Sequence, residues 1–281
     1  MISVVIPAYN EQEAIAPLIE RLREKLAPVQ GYEIIIVDDG STDKTAAIAG
    51  ECGAIVVRHP HNAGYGRSLK DGIAAAGNDT IVILDADGTY SPGDLYLLLA
   101  EYEKGFDLII GRRSGRHYSG TWYKSPLRSM LKLLVEFTVG ARVPDINSGY
   151  RVFSKKTIMP YMKYLCDTFS FTTSMTLSYM LDCKYVSYVD IAYDKRIGKS
   201  KVRLFKDSLR TLQYIVQAIL HFNPLKLYLV LCAFVSVMFF VFAGLAIGFK
   251  SPACMIVSSM SLLTMFIIFA IGLHATLELK K

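Results

Sequence analysis

Two aspartates separated by one residue, Asp85 and Asp87, directly follow a short apolar run, Thr80–Leu84. Two carboxylates at the end of a strand can hold a divalent cation, because Mg²⁺ and Mn²⁺ take oxygen ligands and keep positions for water and phosphate. An ion held in this way would neutralise a diphosphate leaving group. Taken alone, the same pattern also fits a capped turn before a helix, so the acid pair indicates chemistry only together with other polar residues.

Polar residues also follow two other apolar runs of the N-terminal half. Pro7–Glu11 and Asp38–Ser41 each come directly after such a run. Each segment could be a turn, but three polar strand ends converging on one edge are hard to explain as turns. Tyr9 could stack on a nucleotide base, while Glu11 and Asp38 could accept hydrogen bonds from a base or ribose.

The first 111 residues alternate short β-branched runs with amphipathic stretches, which indicates repeated strand–helix units. Such units form a mostly parallel sheet covered by helices, and ligands bind at the carboxyl ends of its strands. Asn10 is predicted to be the N-cap of the first helix. The predicted strands are Ile2–Ile6, Glu33–Val37, Ala54–Arg58, Thr80–Leu84 and Asp107–Gly111, and the predicted helices include Glu11–Leu26 and Tyr65–Ala76.

After Gly111 the alternation stops. Arg112–Tyr123 is polar, aromatic and rich in Gly and Ser, which predicts a loop, and Leu127–Val139 predicts an amphipathic helix. Asp145–Phe153 predicts a turn followed by a strand. Between residues 205 and 219, apolar residues recur at helical spacing opposite a basic face. Periodicity alone allows this helix to lie in a membrane interface or to pack on the sheet.

The chain has 281 residues, of which 52% are hydrophobic and 20% are charged, so a disordered or acidic-tail protein is excluded. The apolar residues concentrate near the C-terminal end, where Leu227–Phe249 and Ser251–Leu277 contain no Asp, Glu, Lys or Arg. At about 1.5 Å rise per residue, each stretch is long enough to cross a bilayer as a helix. This composition excludes a wholly soluble protein and, with two spans, a many-span transporter.

A basic block precedes the first predicted span. Residues 195–226 hold eight Lys or Arg side chains and one acidic residue, Asp207. Such a block beside a span indicates attraction to anionic lipid headgroups and marks the cytoplasmic side. Nucleic acid binding is the competing interpretation, and no nucleic-acid motif supports it. The five cysteines lack CxxC spacing, so neither a disulfide framework nor a zinc site is expected.

The sequence therefore divides into three parts. Residues 1–202 are expected to form a cytosolic α/β domain, residues 203–224 a juxtamembrane amphipathic helix, and residues 225–281 a hairpin of two transmembrane helices. This division predicts a multi-pass membrane protein with its large domain in the cytoplasm. A two-span anchor buries little of its own surface, so a homo-oligomer is compatible with it.

Five motifs in residues 2–155 resemble glycosyltransferase family 2, which has the Rossmann-like GT-A fold. In order they read VVIPAYNEQEAI, IVDDGSTDKT, NAGYGRSLKDGI, LDADGTYSP and DINSGYRVFSK. The later GKSK at Gly198–Lys201, followed by an interfacial helix and spans, is similar to the polyprenyl-phosphate branch of the family. The resemblance implies transfer of a sugar, with inversion at the anomeric carbon, from a nucleotide-diphosphate sugar to undecaprenyl or dolichyl phosphate.

The resemblance also implies which residues bind the donor. Asp85 and Asp87 would hold Mg²⁺ or Mn²⁺ against the donor diphosphate. Arg196 and Lys199 would close over the diphosphate as charge develops on the leaving group. The expected nucleotide-sugar contacts are Pro7, Ala8, Tyr9, Glu11, Asp38, Asp39, Gly64, Asp85, Ala86, Asp87 and Lys199.

On the acceptor side, many inverting members of the family present a carboxylate after the Ser-Gly segment, but residues 169–176 contain no acid. A phosphate monoester is already anionic near neutral pH and needs cations rather than a base. Asp145 could still act as a base. The expected acceptor-phosphate contacts are Arg113, Arg116, Arg128, Ser129 and Ser148, and the expected catalytic residues are Asp85, Asp87, Arg128, Arg196 and Asp145.

Two alternatives stay open. The chain could glycosylate a hydroxyl of a glycan or membrane lipid, or it could be a membrane scaffold that binds nucleotide sugars without turnover. The intact Asp85 and Asp87 pair disfavours the scaffold. The expected partners are a nucleotide-sugar donor, a polyprenyl phosphate and membrane lipids, with no nucleic acid. The sugar and the nucleotide are left open by the sequence.

Overall fold

The computed structural model describes residues 1–115, 126–194 and 204–279, with side chains described from Ser129 in the second range and from Leu209 in the third. These residues group into two compact units, Met1–Tyr214 and Ile215–Lys281. The sequence-based boundaries at residues 202 and 224 stay a prediction.

The described part of the first unit contains seven strands that form one sheet. They are β1 (Ile2–Ala8), β2 (Tyr32–Asp38), β3 (Ile55–Arg58), β4 (Thr80–Ile83), β5 (Leu108–Ser114), β6 (Arg151–Ser154) and β7 (Val186–Ala192). Their order is β3-β2-β1-β4-β6-β5-β7, and only β6 runs antiparallel to its neighbours β4 and β5. The predicted mostly parallel sheet is confirmed. Since β1, β2 and β4 are adjacent and parallel, their carboxyl ends meet at one edge.

Strand β5 is longer than the sequence predicts. A loop was expected from Arg112, but β5 continues to Ser114 and pairs in parallel with β7. Arg112 lies opposite Asp190 in this pair, and its guanidinium forms an ion pair with the Asp190 carboxylate. The prediction was wrong here because β7 is distant in sequence, so local composition does not reveal the pairing. Residues 116–123 of the predicted loop lie outside the described residues.

Helices connect the strands and cover both faces of the sheet. In chain order the helices are α1 (Ile15–Leu26), α2 (Thr45–Glu51), α3 (Tyr65–Ala75), α4 (Leu95–Tyr102), α5 (Pro126–Val139), α6 (Lys155–Ile158), α7 (Phe171–Leu181), α8 (Leu204–Phe222), α9 (Pro224–Phe249) and α10 (Pro252–Glu278), with 3₁₀ turns at Pro92–Asp94 and Met159–Tyr161. The helices up to α7 have this connecting role, and α8 to α10 follow the last strand. Helix α1 starts later than predicted, and Asn10 is not its N-cap. Asn10 instead has φ = 52°, and its Oδ1 accepts a hydrogen bond from the Thr42 N–H over 2.9 Å.

The strand side chains alternate between two cores. Val4 and Ile6 belong to the core that contains side chains of α1, α2 and α4, whereas Val5 belongs to the core formed with α3 and α7. This alternation is the period of two that a strand buried on both faces requires. Packing on both faces holds the ends of β1, β2 and β4 in fixed positions.

The second unit contains two helices that are long and apolar enough to cross a membrane, α9 with 26 residues and α10 with 27. Only 11% and 6% of their most apolar windows are buried, which differs from the core helix of a soluble domain. The Asn223 side chain caps α9, and the Ser251 side chain caps α10. Gly272 packs so closely on Tyr228 that a Cβ there would lie 2.5 Å from the Tyr228 Cβ. The predicted apolar hairpin is therefore present.

Candidate active site

A cavity of about 510 Å³ lies at the edge where β1, β2 and β4 end. It is lined by most of the residues that the sequence predicted for the nucleotide sugar. The structure therefore brings the three polar strand ends together. The predicted residues that line it are Pro7, Ala8, Tyr9, Glu11, Asp39, Gly64, Asp85, Ala86 and Asp87.

Hydroxyl groups hold the acid pair in place. The Tyr65 hydroxyl donates to Asp85 Oδ1 over 2.8 Å, and the Thr89 hydroxyl donates to Asp87 Oδ1 over 2.6 Å. Gly149 lies so close to Asp85 that a Cβ there would be 2.6 Å from both carboxylate oxygens. Any larger residue at position 149 would displace the Asp85 carboxylate. The two carboxylates are thus oriented before a ligand arrives.

The carboxylate oxygens of Asp85 and Asp87 fit a divalent cation that takes its remaining ligands from a substrate. The described residues contain no group of three or more His, Cys, Asp or Glu that could hold a metal ion. Asp85 and Asp87 supply oxygen ligands, and a cation held by them would complete its coordination with phosphate oxygens and water. This is the usual arrangement of Mg²⁺ in phosphate-binding enzymes.

The pKa of Tyr65 explains why its hydroxyl remains a donor. Burial of the phenol raises this pKa well above the usual value, and the negative charge of Asp85 nearby is a second, smaller cause in the same direction. Tyr65 therefore stays protonated and keeps donating to Asp85 across the physiological pH range.

Asp39 shapes the opposite wall of the cavity. Its Oδ1 accepts a hydrogen bond from the Ala63 N–H over 2.8 Å, and its Oδ2 accepts one from the Gly64 N–H over 2.9 Å. Gly64 has φ = 110°, and a Cβ there would lie 2.7 Å from the Asp167 carbonyl oxygen. Position 64 therefore requires glycine. One carboxylate fixes the loop that leads into α3.

Asp38 has a different position from the one predicted. It is fully buried and is not among the residues that line the cavity. Its Oδ1 accepts a hydrogen bond from the Ser41 N–H over 3.2 Å, and its Oδ2 lies 3.4 Å from Arg58 Nε. Asp38 thus supports the turn after β2, and its neighbour Asp39 lines the cavity.

The segment after β1 is held by backbone donors to hydroxyl groups of the segment after β2. The N–H of Asn10 donates to Ser41 Oγ and the N–H of Glu11 donates to Thr45 Oγ1, each over 2.9 Å. These bonds fix the backbone beside Tyr9 and Glu11, so both side chains are held at the cavity.

Arg113 and Asp145, predicted as a phosphate ligand and a base, bind each other. Arg113 Nε and Nη2 each donate to one Asp145 oxygen over 2.8 Å, and the Arg113 N–H donates to Oδ2 over 3.2 Å. The Asp145 side chain is 1% exposed. Both oxygens of its carboxylate are therefore engaged by the Arg113 guanidinium, the bidentate geometry that gives strong charge-assisted hydrogen bonds.

Other predicted acceptor residues do not line the cavity. Ser148 is fully buried, and its hydroxyl lies 3.5 Å from the Tyr90 hydroxyl, while Ser129 is exposed on α5. Arg116, Arg196 and Lys199 lie outside the described residues, and so does the side chain of Arg128. The predicted roles of these residues stay predictions.

Arg151, which follows the Ser-Gly segment, is fully buried. It donates to the carbonyl oxygens of Ile146 and Ser148 and to the Thr176 hydroxyl, over 2.8 to 2.9 Å. Burial lowers its pKa. Arg151 fixes the turn that carries Asn147, and Asn147 does line the cavity.

Several lining residues were not predicted as site residues. Local motifs indicate part of this group, because Asn62, Ala63 and Tyr65 belong to the NAGYG motif. The segment around Phe169 and the helix that carries Arg210 gave no such signal. The remaining lining residues are Asn62, Ala63, Tyr65, Ser68, Asn147, Thr168, Phe169, Thr172 and Arg210.

A protein-family model matches more than half of this chain. The model described as glycosyl transferase family 2 matches residues 3–162. This region contains β1 to β6 and every acidic residue that lines the cavity.

Among curated proteins, the chain is similar to the undecaprenyl-phosphate 4-deoxy-4-formamido-L-arabinose transferase of Proteus mirabilis. The two are 28% identical over 254 residues, covering 88% of this chain and 76% of the relative. An uncharacterized glycosyltransferase of Mycobacterium tuberculosis is 38% identical over 120 residues, covering 42% of this chain and 52% of the relative. The chain thus matches about three quarters of the first relative and about half of the second.

Among solved structures, the chain is similar to the glucosyl-3-phosphoglycerate synthase of Mycobacterium tuberculosis. Its complex with Mn²⁺, UDP-glucose and phosphoglyceric acid has a TM-score of 0.63 at 21% identity, covering 78% of this chain and 79% of the other. The complex of the same synthase with Mg²⁺ and UDP has a TM-score of 0.64 at 22% identity over the same shares. At this identity the likeness concerns the fold.

Proposed function

Since this chain belongs to glycosyl transferase family 2, we propose that it transfers a sugar from a nucleotide-diphosphate sugar to a polyprenyl phosphate at a membrane surface. The observation that carries the proposal is one cavity that combines the acid pair Asp85 and Asp87 with Tyr9 and Asp39. A nucleotide with its diphosphate needs this combination of an aromatic surface, hydrogen-bond acceptors and a cation site.

Asp85 and Asp87 would hold Mg²⁺ or Mn²⁺ in this reaction. The ion would supply positive charge to the diphosphate as the bond to the sugar breaks. Tyr65 and Thr89 orient the two carboxylates through their hydroxyl groups. The solved synthase complexes contain Mn²⁺ with UDP-glucose or Mg²⁺ with UDP on a similar fold, which supports this assignment.

A phosphate acceptor agrees with the state of the candidate base. Asp145 is buried and paired with Arg113, so it is poorly placed to take a proton from a sugar hydroxyl. A phosphate monoester has a second pKa of about 6 and attacks as an anion without a base. The transfer then depends on positioning and charge stabilisation. The transferase of Proteus mirabilis described above acts on undecaprenyl phosphate according to its name, which supports the same class of acceptor.

Membrane attachment would bring the cavity to its lipid substrate. Helices α9 and α10 are long and apolar enough to anchor the chain. The basic block at residues 195–226 would bind anionic headgroups and keep the catalytic unit on the cytoplasmic side. A homo-oligomer is compatible with this arrangement.

The proposal is tested with the purified full chain in detergent or lipid nanodiscs. The protein is incubated with Mn²⁺ or Mg²⁺, a panel of UDP-, GDP- and TDP-sugars, and undecaprenyl or dolichyl phosphate. We expect a sugar-phospholipid from one donor and no product after chelation of the metal. A product on glycan or lipid hydroxyls, with none on polyprenyl phosphate, would show that the acceptor is wrong. Nucleotide-sugar binding without any product would favour a scaffold.

A further inference from the structure

Arg210 belongs to the basic block that the sequence assigns to the membrane surface, but its side chain lines the cavity. It is carried by α8 and is partly buried. A residue whose only task is to attract lipid headgroups would be expected on the solvent-facing surface. Attraction of lipid headgroups alone therefore does not explain where Arg210 lies, whereas a ligand inside the cavity would.

Contacts within the first unit fix this part of α8. The hydroxyl of Thr211, the next residue, lies 2.7 Å from the hydroxyl of Ser170, which is 1% exposed. Tyr214, one turn further along, lies close to Cys166 of the same segment. The turn of α8 that begins with Arg210 is thus held against residues 166–170.

The segment at residues 166–170, which contacts α8, also packs on the loop that leads into α3. The Arg67 N–H donates to the Asp167 carbonyl oxygen over 2.9 Å, and Gly64 approaches the same oxygen. Phe169 lines the cavity with its ring 6.3 Å from that of Tyr65. Residues 166–170 therefore connect the loop that leads into α3 with the turn of α8 that carries Arg210.

The charges of the cavity wall show what Arg210 can bind. Among the described lining residues, the other charged side chains are four carboxylates, those of Glu11, Asp39, Asp85 and Asp87. Arg210 forms no ion pair with any described residue. A guanidinium with unpaired donors in a partly buried cavity favours a planar oxyanion such as phosphate.

From this geometry we infer that Arg210 is a phosphate-binding catalytic residue of the transfer reaction. This inference rests on the proposed function, which defines the ligand of Arg210 as either the donor diphosphate or the acceptor phosphate. In both cases the guanidinium would offset phosphate charge that one divalent cation, whose own charge is already balanced by Asp85 and Asp87, does not offset alone. Its location on α8 means that the helix leading to the first apolar span also supplies a side chain to the cavity.

The test compares Arg210→Gln with Lys226→Gln in the full chain. Both variants remove one positive charge from the same basic block, but Lys226 is not among the cavity-lining residues. One arm measures binding of Mn²⁺ with UDP, GDP or TDP by calorimetry. The other measures KM for polyprenyl phosphate at saturating donor. Vesicle binding is measured for both variants.

We expect Arg210→Gln to weaken one of the two phosphate ligands roughly 10–100-fold, as expected for a charged hydrogen-bonded contact. Weaker nucleotide binding assigns Arg210 to the donor, and a raised acceptor KM assigns it to the lipid phosphate. Arg210→Lys should restore part of the effect. Lys226→Gln should leave the nucleotide affinity and the acceptor KM within about twofold of the wild type. This variant therefore shows how much the loss of one charge outside the cavity contributes.

If Arg210→Gln changes only vesicle binding, and does so to the same extent as Lys226→Gln, the inference is wrong and Arg210 serves the membrane surface. The proposed function can fail separately. If the wild type transfers no sugar to polyprenyl phosphate but Arg210→Gln still loses nucleotide affinity relative to Lys226→Gln, Arg210 remains a phosphate ligand.

Discussion

Two polar regions of the first unit differ in whether their side chains reach the cavity. We call the ends of β1, β2 and β4 the donor edge, and residues 145–149 the acceptor turn. At the donor edge, short local segments present Tyr9, Asp39 and Asp85 directly to the cavity. In the acceptor turn, Asp145 and Ser148 face inward, where Arg113 and Tyr90 contact them. Similar polar sequences thus take different positions, one at the cavity surface and one buried in contacts with other side chains.

The reason for the difference lies in the sheet. The donor edge follows parallel strands, whose carboxyl ends leave polar side chains at an open edge. The acceptor turn precedes β6, the antiparallel strand between β4 and β5, so it lies at the same edge of the sheet, but Asp145 and Ser148 are buried there. Asn147 is the member of the turn that lines the cavity, and Arg151 holds it there. A comparison of variants in the two regions tests this division.

The largest effect is expected for Asp87→Asn at the donor edge. The amide keeps the shape of the side chain but removes a charged ligand of the proposed cation. We expect transfer to fall by more than about 100-fold, beyond the range found for residues that only orient metal ligands. The measurement is initial rate of sugar transfer together with Mn²⁺ binding. Normal turnover with unchanged metal dependence would remove the acid pair from the mechanism.

Tyr65→Phe tests the support of the same pair. It removes the hydroxyl that donates to Asp85, so we expect metal affinity to fall roughly 10–100-fold. Excess Mn²⁺ should recover most of the turnover. In the wild type, the raised pKa of Tyr65 keeps the phenol neutral as pH rises, so this donor should not be lost below a pH of about 10. Mn²⁺ titrations at several pH values check both expectations.

Arg128→Ala tests the predicted acceptor side. The sequence assigns this arginine to the acceptor phosphate, so we expect KM for polyprenyl phosphate to rise about tenfold while nucleotide affinity is kept. Steady-state kinetics with varied acceptor, alongside calorimetry with the nucleotide, measure the two constants. If the variant instead lost nucleotide binding, the proposed division between donor and acceptor contacts would have to be abandoned.

Asp145→Asn should affect stability more than transfer. The change leaves Arg113 without its carboxylate, and breaking a buried pair costs about 3–5 kcal/mol. We expect less than about a tenfold loss of turnover in the protein that remains folded, because the proposed reaction needs no base. Urea unfolding in detergent and rate assays give the two values. A loss above 100-fold at unchanged stability would make Asp145 a base.

Arg113→Gln is the matched control for that variant. If the two side chains act as a pair, both single variants should lose stability, and the double variant should lose less than the sum. Strictly additive losses would show that the contact contributes little.

The sequence by itself determined the parallel part of the sheet and the donor edge. Strand–helix alternation and polar residues after apolar runs are local patterns, and parallel strands place those residues together whatever the exact loop geometry. The charge-free stretches that form α9 and α10 were likewise evident, because length and composition suffice to identify an apolar helix.

Only the tertiary structure decided which polar residues reach the cavity. Asp38 and Asp39 are equivalent in type and adjacent in sequence, yet only Asp39 lines the cavity, because successive side chains leave a strand end in different directions. The pairing of Arg113 with Asp145 and the entry of Arg210 depend on contacts between distant segments. Local patterns report periodicity and charge, whereas burial and pairing arise when the chain packs.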